Sequence, residues 1–471
     1  MTAVLLIALA LELESHAAVK APEQAGNDDQ VKHALSRDAH GRPYLPASSL
    51  AGSLRAHLRR HHADRTETLM GEEPGTRTSS TRWETGNPGE DQPQARPSAI
   101  RFLGTRIEQS ADDTGLELAR RGRTAVDRHR AAPANHKLRT DELLPPGTRI
   151  SCWLRVDDPP LHTHVLAALA DWRPTIGGGR STGLGRARVA AARYQTLDLD
   201  TPEGRARWLT QGGEDLFAGG TALDLEAPQS EVVLRASWDI VDGLSITTGE
   251  PELDGATGRT VTRVLTGPFP TGDGNRTRLP YVPGSTWKGV LRSQVEYILR
   301  SLDLPVCDST GPDGTCGKCD VCIAFGYTTQ DDNGDSAGQR ALLHFADSPI
   351  TDAALSVRQH VALDRFTGGA AAGLLYARQV VNTGHLTLTI TRDPDLTTPA
   401  IPPLAVAALR LACYDLHAGQ LGLGGATTRG LGTVRRRDLD EAAVEDERGR
   451  AAELLAATLR ETATSQKGSP A

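Results

Sequence analysis

An unbroken apolar run from Ala3 to Leu11 passes into the alternating Glu12-Leu13-Glu14, which predicts an opening strand. After Pro46 the period lengthens. Leu50, Leu54 and Leu58 lay one apolar stripe along a helix over Ser48–Arg60, with Ser48 as its N-cap. The stripe returns at Ser285–Leu299 as Trp287, Leu291, Val295 and Ile298, with Ser285 as the cap. Further helices are predicted at Thr163–Asp171 and Pro403–Leu416. Strands are predicted at Arg149–Val156, Glu231–Ile240, Ala341–Ala346 and Leu386–Thr391. Strand, helix, strands, helix, strand, given twice, predicts an α+β fold of two tandem ferredoxin-like (RRM-like) domains.

The doubling is visible in the letters. Pro43-Tyr44-Leu45-Pro46 and Pro280-Tyr281-Val282-Pro283 are 237 residues apart and open the two helices. Asp127-Arg128 and Asp364-Arg365 keep that spacing, as do Gly147 and Gly384. A repeat this long is a whole domain, not a solenoid unit. The expected division is 1–205 for the first copy, 206–230 for a linker and 231–437 for the second copy. A tail over 438–471 is expected to be a short helix, then disorder from Ser465.

Composition narrows the class. A net charge of −7 argues against indiscriminate nucleic-acid binding, but leaves room for a local basic groove. The opening apolar run lacks a basic flank and passes directly into Glu12-Leu13-Glu14, so it reads as strand and not as a signal peptide. No apolar stretch reaches membrane-spanning length, and the expected location is the cytoplasm.

Two patterns carry candidate chemistry. Cys307, Cys316, Cys319 and Cys322 lie in a Gly-rich loop, and thiolates two residues apart on a tight turn converge on one tetrahedral ion. Four sulfurs leave no open position, so the predicted ion is a structural Zn²⁺; the alternative is a loop of reduced thiols. Cys152 and Cys413 sit in apolar runs and are expected in the core. The second pattern is a Gly-rich loop ending each copy, Ile176–Arg186 and Gly422–Gly432, each with an internal arginine (Arg180, Arg429). Glycines let backbone N–H groups approach phosphate and the arginine supplies charge. A tight β-turn is the plainer explanation. The copy-one loop is read as the shorter of the two. His57, His61 and His62 after the first helix are read as a solvated face.

These residues resemble a family. Gly-x-Gly-x5-Gly-x-Gly with an internal arginine is similar to the glycine-rich loop of the RAMP superfamily of CRISPR-associated proteins. Residues 280–292 resemble the helix signature of type III effector backbone subunits. Cys319-x-x-Cys322 leading to Phe325-Gly326 resembles their cysteine-rich segment, and Ala362–Ala370 their motif before an inserted thumb. Copy one departs from the pattern: Ala47 stands for the Gly, Ala51 for the Lys, and no cysteine cluster appears.

The resemblance implies a guide-RNA-binding backbone subunit of a type III CRISPR interference complex, in antiviral defence. Its partners would be CRISPR guide RNA, complementary target RNA and the other effector subunits. Guide contacts are expected from Arg55, Arg128, Arg130, Arg180, Lys288, Arg292, Arg365 and Arg429. The basic run from Arg120 to Arg139 is the candidate thumb of copy one and the nearly uncharged Gly368–Tyr376 that of copy two. The resemblance also implies an aspartate five residues before an arginine, cutting target RNA with Mg²⁺. Asp254 before Arg259 keeps that count. Copy one has Lys32 in the slot, with Asp28 and Asp29 nearby. The alternative is a RAMP endoribonuclease that processes precursor CRISPR RNA. A zinc-stabilised scaffold without RNA is the blandest reading.

Overall fold

A computed structural model describes residues 3–20, 34–72, 96–108, 116–124, 126–127, 132–133, 139–226, 231–255, 259–271, 275–308, 314–330, 336–393, 396 and 399–467. Asp28, Asp29, Lys32, Arg128 and Arg130 lie outside them.

The first copy is built from β1 (Ala3–Leu13), α1 (Ala47–His61), α2 (Thr66–Met70) and β2 (Ile100–Ile107). A hairpin of β3 (Ala119–Arg123) and β4 (Arg139–Leu143) follows. Then come β5 (Arg149–Val156), α3 (His162–Ala170), β6 (Ala187–Asp198), α4 (Pro202–Thr210) and β7 (Thr221–Ala222). Its sheet runs β2–β5–β1–β6–β7, with antiparallel neighbours throughout. Leu5, Ile7, Leu9 and Leu11 face Val156, Leu154, Cys152 and Ile150 across the ladder, all buried. Leu50, Leu54 and Leu58 of α1 and Val165 and Leu169 of α3 close the core over that face. The opening run is the central strand, which is why it is apolar on nearly every residue.

The second copy repeats this with β8 (Val232–Asp242), the hairpin β9 (Thr247–Asp254) and β10 (Arg259–Val264), and the hairpin β11 (Thr266–Pro270) and β12 (Arg276–Val282). It continues with α5 (Gly284–Ser301), α6 (Asp320–Phe325), β13 (Leu343–Phe345), β14 (Thr351–Leu363), β15 (Ala370–Arg392), α7 (Pro403–His417), β16 (Thr433–Arg436) and α8 (Glu441–Lys467). Its sheet runs β9–β10–β15–β8–β16, and β13 and β14 also pair with β15. The path β13–β15–β8–β16 matches β2–β5–β1–β6 of the first copy, strand for strand. Trp238 and Trp287 lie 6.5 Å apart with their rings tilted, in a core with Leu291, Val295, Leu299 and Leu409. Cys152 and Cys413 are buried as expected.

Several expectations change. The helix N-caps are Pro46 and Pro283, not Ser48 and Ser285; neither proline side chain can accept a bond. Instead the Asp347 carboxylate accepts from Gly284 N at 2.8 Å, placing negative charge at the start of α5. Leu299 completes the buried stripe, while Ile298 packs at its margin. The strand predicted at Leu386–Thr391 is only the end of the 23-residue β15. In the stretch read as linker, β7 pairs with β6. Trp208, Leu216 and Phe217 pack on Val4, Leu6 and Leu197, so the sheet of the first copy continues to Ala222. The tail is one helix through Lys467. Its Val444, Ala451 and Leu455 are buried, which gives it the apolar stripe that its alanine-rich composition obscured.

Candidate nucleic-acid interface

The junction of the copies orders everything else. Arg121, inside the basic run read as a thumb, is fully buried. Its Nη2 donates to Asp347 Oδ2 at 2.6 Å and its Nε to Tyr281 Oη at 3.0 Å. His16 Nδ1 lies 2.9 Å from the same Asp347 oxygen. Burial opposes charge on both partners. The Arg121 guanidinium nevertheless holds the Asp347 carboxyl well below the usual carboxylate range. Burial, first, and Arg121 push His16 down, so it stays neutral. Arg123 also turns inward, to Asp141 at 3.4 Å and Thr182 Oγ1 at 2.9 Å. The run is therefore partly a clamp: alternate residues of β3 turn inward, Arg121 onto the second copy and Arg123 onto its own.

The two glycine-rich loops are the same structure. Ile176 N donates to Gly185 O, and Leu423 N to Gly432 O. Each encloses a 3₁₀ turn, Arg180–Thr182 and Thr427–Arg429. The loops are equal in length between these paired residues, so the first is not the shorter. Arg180 begins its turn whereas Arg429 ends the other. Gly185 and Gly432 have φ of +80° and +89°, and a Cβ on either would lie 2.2 Å from a carbonyl oxygen of its own loop. Only glycine closes this turn.

Their surroundings differ. The first loop is seated on the second copy. A Cβ at Gly284 would meet Phe345 O at 1.9 Å and Thr182 O at 2.6 Å. Lys288 Nζ donates to Ser181 Oγ at 2.9 Å. Burial, with Arg292 adding to it, lowers the Lys288 ammonium to about 7. Arg180 donates to Thr175 O at 3.4 Å. The second loop has its turn exposed, and Arg429 Nη1 donates to Tyr376 Oη at 2.5 Å.

Around this exposed loop a cationic surface gathers at the root of the β14–β15 hairpin. Arg378 Nη1 donates to Ser245 Oγ at 3.3 Å, and Arg358 Nη2 to Asn382 Oδ1 at 3.1 Å. His360 stacks on Tyr376 at 5.1 Å. Burial and then Arg429, Arg378 and Arg358 push His360 below its ordinary value, so all three arginines bear on one place. The hairpin ends in a turn in which Asp364 Oδ1 accepts from Phe366 N at 2.8 Å and Thr367 N at 2.9 Å. Phe366 at the tip is fully exposed, and Leu363, Leu374 and Leu375 are more than half exposed. Arg365 shares the exposed tip, away from the other arginines. Arg358, Arg378 and Tyr376 were not singled out in the sequence. They alternate along two strands whose pairing no local pattern reveals.

Arg55 and Arg292 have an internal task. Arg55 donates to Met70 O and Gly71 O, and Arg292 to Gly326 O at 3.0 Å. Each holds the glycine that ends a short helix, α2 or α6.

Cys322 lies on that second short helix, Cys319 is its N-cap residue, and Cys307 and Cys316 precede it. Cys307 Sγ lies 3.8 Å from Cys319 Sγ and 3.5 Å from Cys322 Sγ; Cys316 Sγ lies 4.0 Å from Cys322 Sγ. Four sulfurs about 2.3 Å from one tetrahedral ion stand about 3.8 Å apart, so the donor set fits a metal such as zinc. Burial raises Cys316, but the N–H groups of Lys318 and Cys319 outweigh it and lower the thiol to about 6. The thiolate a metal needs is thus favoured there.

Asp254 ends β9, opposite Arg259 in the β9–β10 ladder. Glu252, two residues earlier, shares its face. Arg263 reaches both, 3.2 Å to Glu252 and 3.8 Å to Asp254. β9 also runs beside β3 of the first copy.

The family model of the RAMP superfamily matches residues 11–188 and 260–435, together most of the chain and once in each copy. The chain belongs to the RAMP superfamily. A 62-residue stretch is 44% identical to the CRISPR system Cms endoribonuclease Csm3 of Methanothermobacter thermautotrophicus. It covers 13% of this chain and 22% of that protein, so the match spans about a fifth of the relative's length. As a tandem RAMP protein, the chain has one matched copy on each side of the Arg121–Asp347 clamp. No helix is long and apolar enough to cross a membrane among the described residues.

Proposed function

We propose that this tandem RAMP protein is a guide-RNA-binding backbone subunit of a type III CRISPR interference complex. It would act in the cytoplasm, with two ferredoxin-like domains at consecutive positions along the guide. The observation that carries the reading is the convergence of Arg358, Arg378 and Arg429 on an exposed glycine-rich loop, at the root of an apolar-tipped hairpin. The arginines and loop amides would hold phosphates. Sequence would be read by guide–target pairing, not by the protein. Phe366 and its apolar neighbours would wedge into the guide–target duplex as the thumb. The endoribonuclease name of the relative and the match in both copies support the same reading. Arg55, Arg292 and Lys288 would act on the guide only through the segments they hold.

Changing Arg378 and Arg429 together to alanine is expected to weaken guide binding about equally for all sequences. Every phosphate left without its arginine should lower the slope of log K against log salt by about 0.7. Filter binding of a labelled guide RNA across a salt series measures it. An unchanged slope would reduce the loop to a turn.

The four-cysteine cluster would hold a structural zinc that pins α6 beneath α5. Cys319→Ser with Cys322→Ser should remove one equivalent of zinc from the purified protein. Amide exchange should quicken in α5 and α6 while β1 and β5 keep their protection. Equal exchange in both copies would argue against a site that stabilises the second copy alone. Mg²⁺, if used for cutting, would fall to Asp254 and Glu252, whose paired carboxylates suit a hard cation. The ion would offset charge on the scissile phosphate.

A further inference from the structure

A second cluster of metal-ligating side chains lies at the opposite end of α1 from the Pro46 cap. His57 is buried, and its Nε2 is 2.9 Å from Asp171 Oδ1. His62 is the C-cap residue of α1, and its Nε2 is 3.6 Å from Asp171 Oδ2. That nitrogen is buried and makes no hydrogen bond. The three donor atoms all lie within 4.8 Å of one another.

The internal repeat supplies a comparison within the same chain. His57 and Gln294 are 237 residues apart and take the same place on α1 and α5. Gln294 Nε2 donates to Asp415 Oδ2 at 2.7 Å. Asp415 lies in the last turn of α7, much as Asp171 follows α3. A tether between the two helices therefore needs only one amide. The second histidine has no such counterpart, since Leu299 stands at that spacing and is core. A tether accounts for the His57 nitrogen; it leaves the buried His62 nitrogen near Asp171 but without a hydrogen bond, an arrangement folded proteins avoid.

We propose that His57, His62 and Asp171 form a divalent-metal site of zinc type in the first copy. Zinc takes imidazole nitrogen and carboxylate oxygen at about 2.0–2.2 Å, and tetrahedral donors then stand roughly 3.3–3.6 Å apart. The His62–Asp171 spacing meets this as it stands. Water supplies the fourth ligand on the open side, where His62 and Asp171 are about a quarter exposed. The ion joins the end of α1 to the segment that enters the glycine-rich loop. There Thr175 N already donates to Ser53 Oγ at 2.8 Å, one residue before Ile176 opens the loop. The first copy has no cysteine in the segment after its helix, and this site fixes the same helix end by other ligands.

The test is zinc binding by the full-length protein, stripped of metal and titrated against a chromophoric chelator. His57→Gln copies the second half's own pair and so keeps the tether; His62→Ala and Asp171→Asn complete the set. Each variant is expected to bind one equivalent of zinc fewer than the wild type. With Co²⁺ the lost site should subtract only weak visible bands and leave thiolate charge-transfer absorption unchanged. Zinc should raise the melting midpoint of the wild type more than that of His57→Gln, while the two melt alike without metal. Equal stoichiometry in wild type, His57→Gln and His62→Ala would overturn the proposal. So would loss of the thiolate bands instead of the weak ones. None of these readouts involves RNA.

Discussion

Arg121→Ala is expected to cost about 3–5 kcal/mol of stability near neutral pH, the range for removing one partner of a buried ion pair. The loss should fall on the junction, because Arg121 comes from the first copy and Asp347 from the second. Removing the guanidinium leaves Asp347 with Gly284 N and His16 only. The pH dependence separates this from ordinary loss of packing. In the wild type, Asp347 is depressed below its unfolded value. Its stabilisation is present above about pH 3.9 and is lost as pH falls toward the folded value. His16 is lowered from 6.5, so its share is also lost on acidification below about pH 6.5. In Arg121→Ala the cation that opposed His16 protonation is gone while the carboxylate remains. His16 should then take up a proton more readily than in the wild type and replace part of the lost charge. The deficit relative to wild type should therefore shrink as the pH is lowered from neutral. Urea midpoints of the two proteins across a pH series measure it. A constant deficit would mean that the arginine acts by volume alone. Replacing both partners, Arg121→Met with Asp347→Leu, should restore much of the loss.

How much of this was legible depends on whether the signal was local. The helices α1 and α5 and the strand β5 were readable because a periodic stripe needs only neighbours in sequence. The second copy's cysteines were readable for the same reason. The departures of the first copy were visible but had no cause until the copies were seen together. Gly284 is glycine because Phe345 O and Thr182 O leave no room for a Cβ. Lys288 is lysine because Ser181 of the preceding loop receives it. Ala47 and Ala51 hold those places in the first copy. Arg121 was misread for a related reason: basic letters in a loop look solvated until an acid 226 residues away turns up beside them. The arginines of the two glycine-rich loops were matched by letter, whereas the hydrogen-bonded frame matches Arg180 with Thr427 and Thr182 with Arg429. The cationic surface around Tyr376 depends on strand pairing across a long hairpin, which no window of sequence contains.

Asp254→Ala is expected to abolish Mg²⁺-dependent cutting of a complementary target RNA by the assembled complex, with guide binding intact. Asp254 sits at a hairpin end beside the first copy's β3, and it is paired with Glu252 through one shared arginine. That arginine offsets only one of the two negative charges and does not bury them, so a divalent ion with a phosphate attached can displace it at modest cost. Removing Asp254 leaves one carboxylate under Arg263, too little charge to recruit Mg²⁺. Glu252→Ala should then lower the rate by a smaller factor, since the partner acid keeps a ligand. Arg263→Ala should leave cutting in place and reduce the Mg²⁺ concentration needed for half-maximal rate. The order Asp254 above Glu252, with the arginine opposite in sign, is the signature of a metal ligand pair. An ion pair kept only for stability would instead make Arg263→Ala and Asp254→Ala alike. Asp28→Ala and Asp29→Ala should change the rate little, because Lys32 stands where the first copy would need its acid. Labelled target RNA with a matched guide, with and without EDTA, reads all five variants. If cutting survives Asp254→Ala and disappears with Asp29→Ala, the nuclease belongs to the first copy.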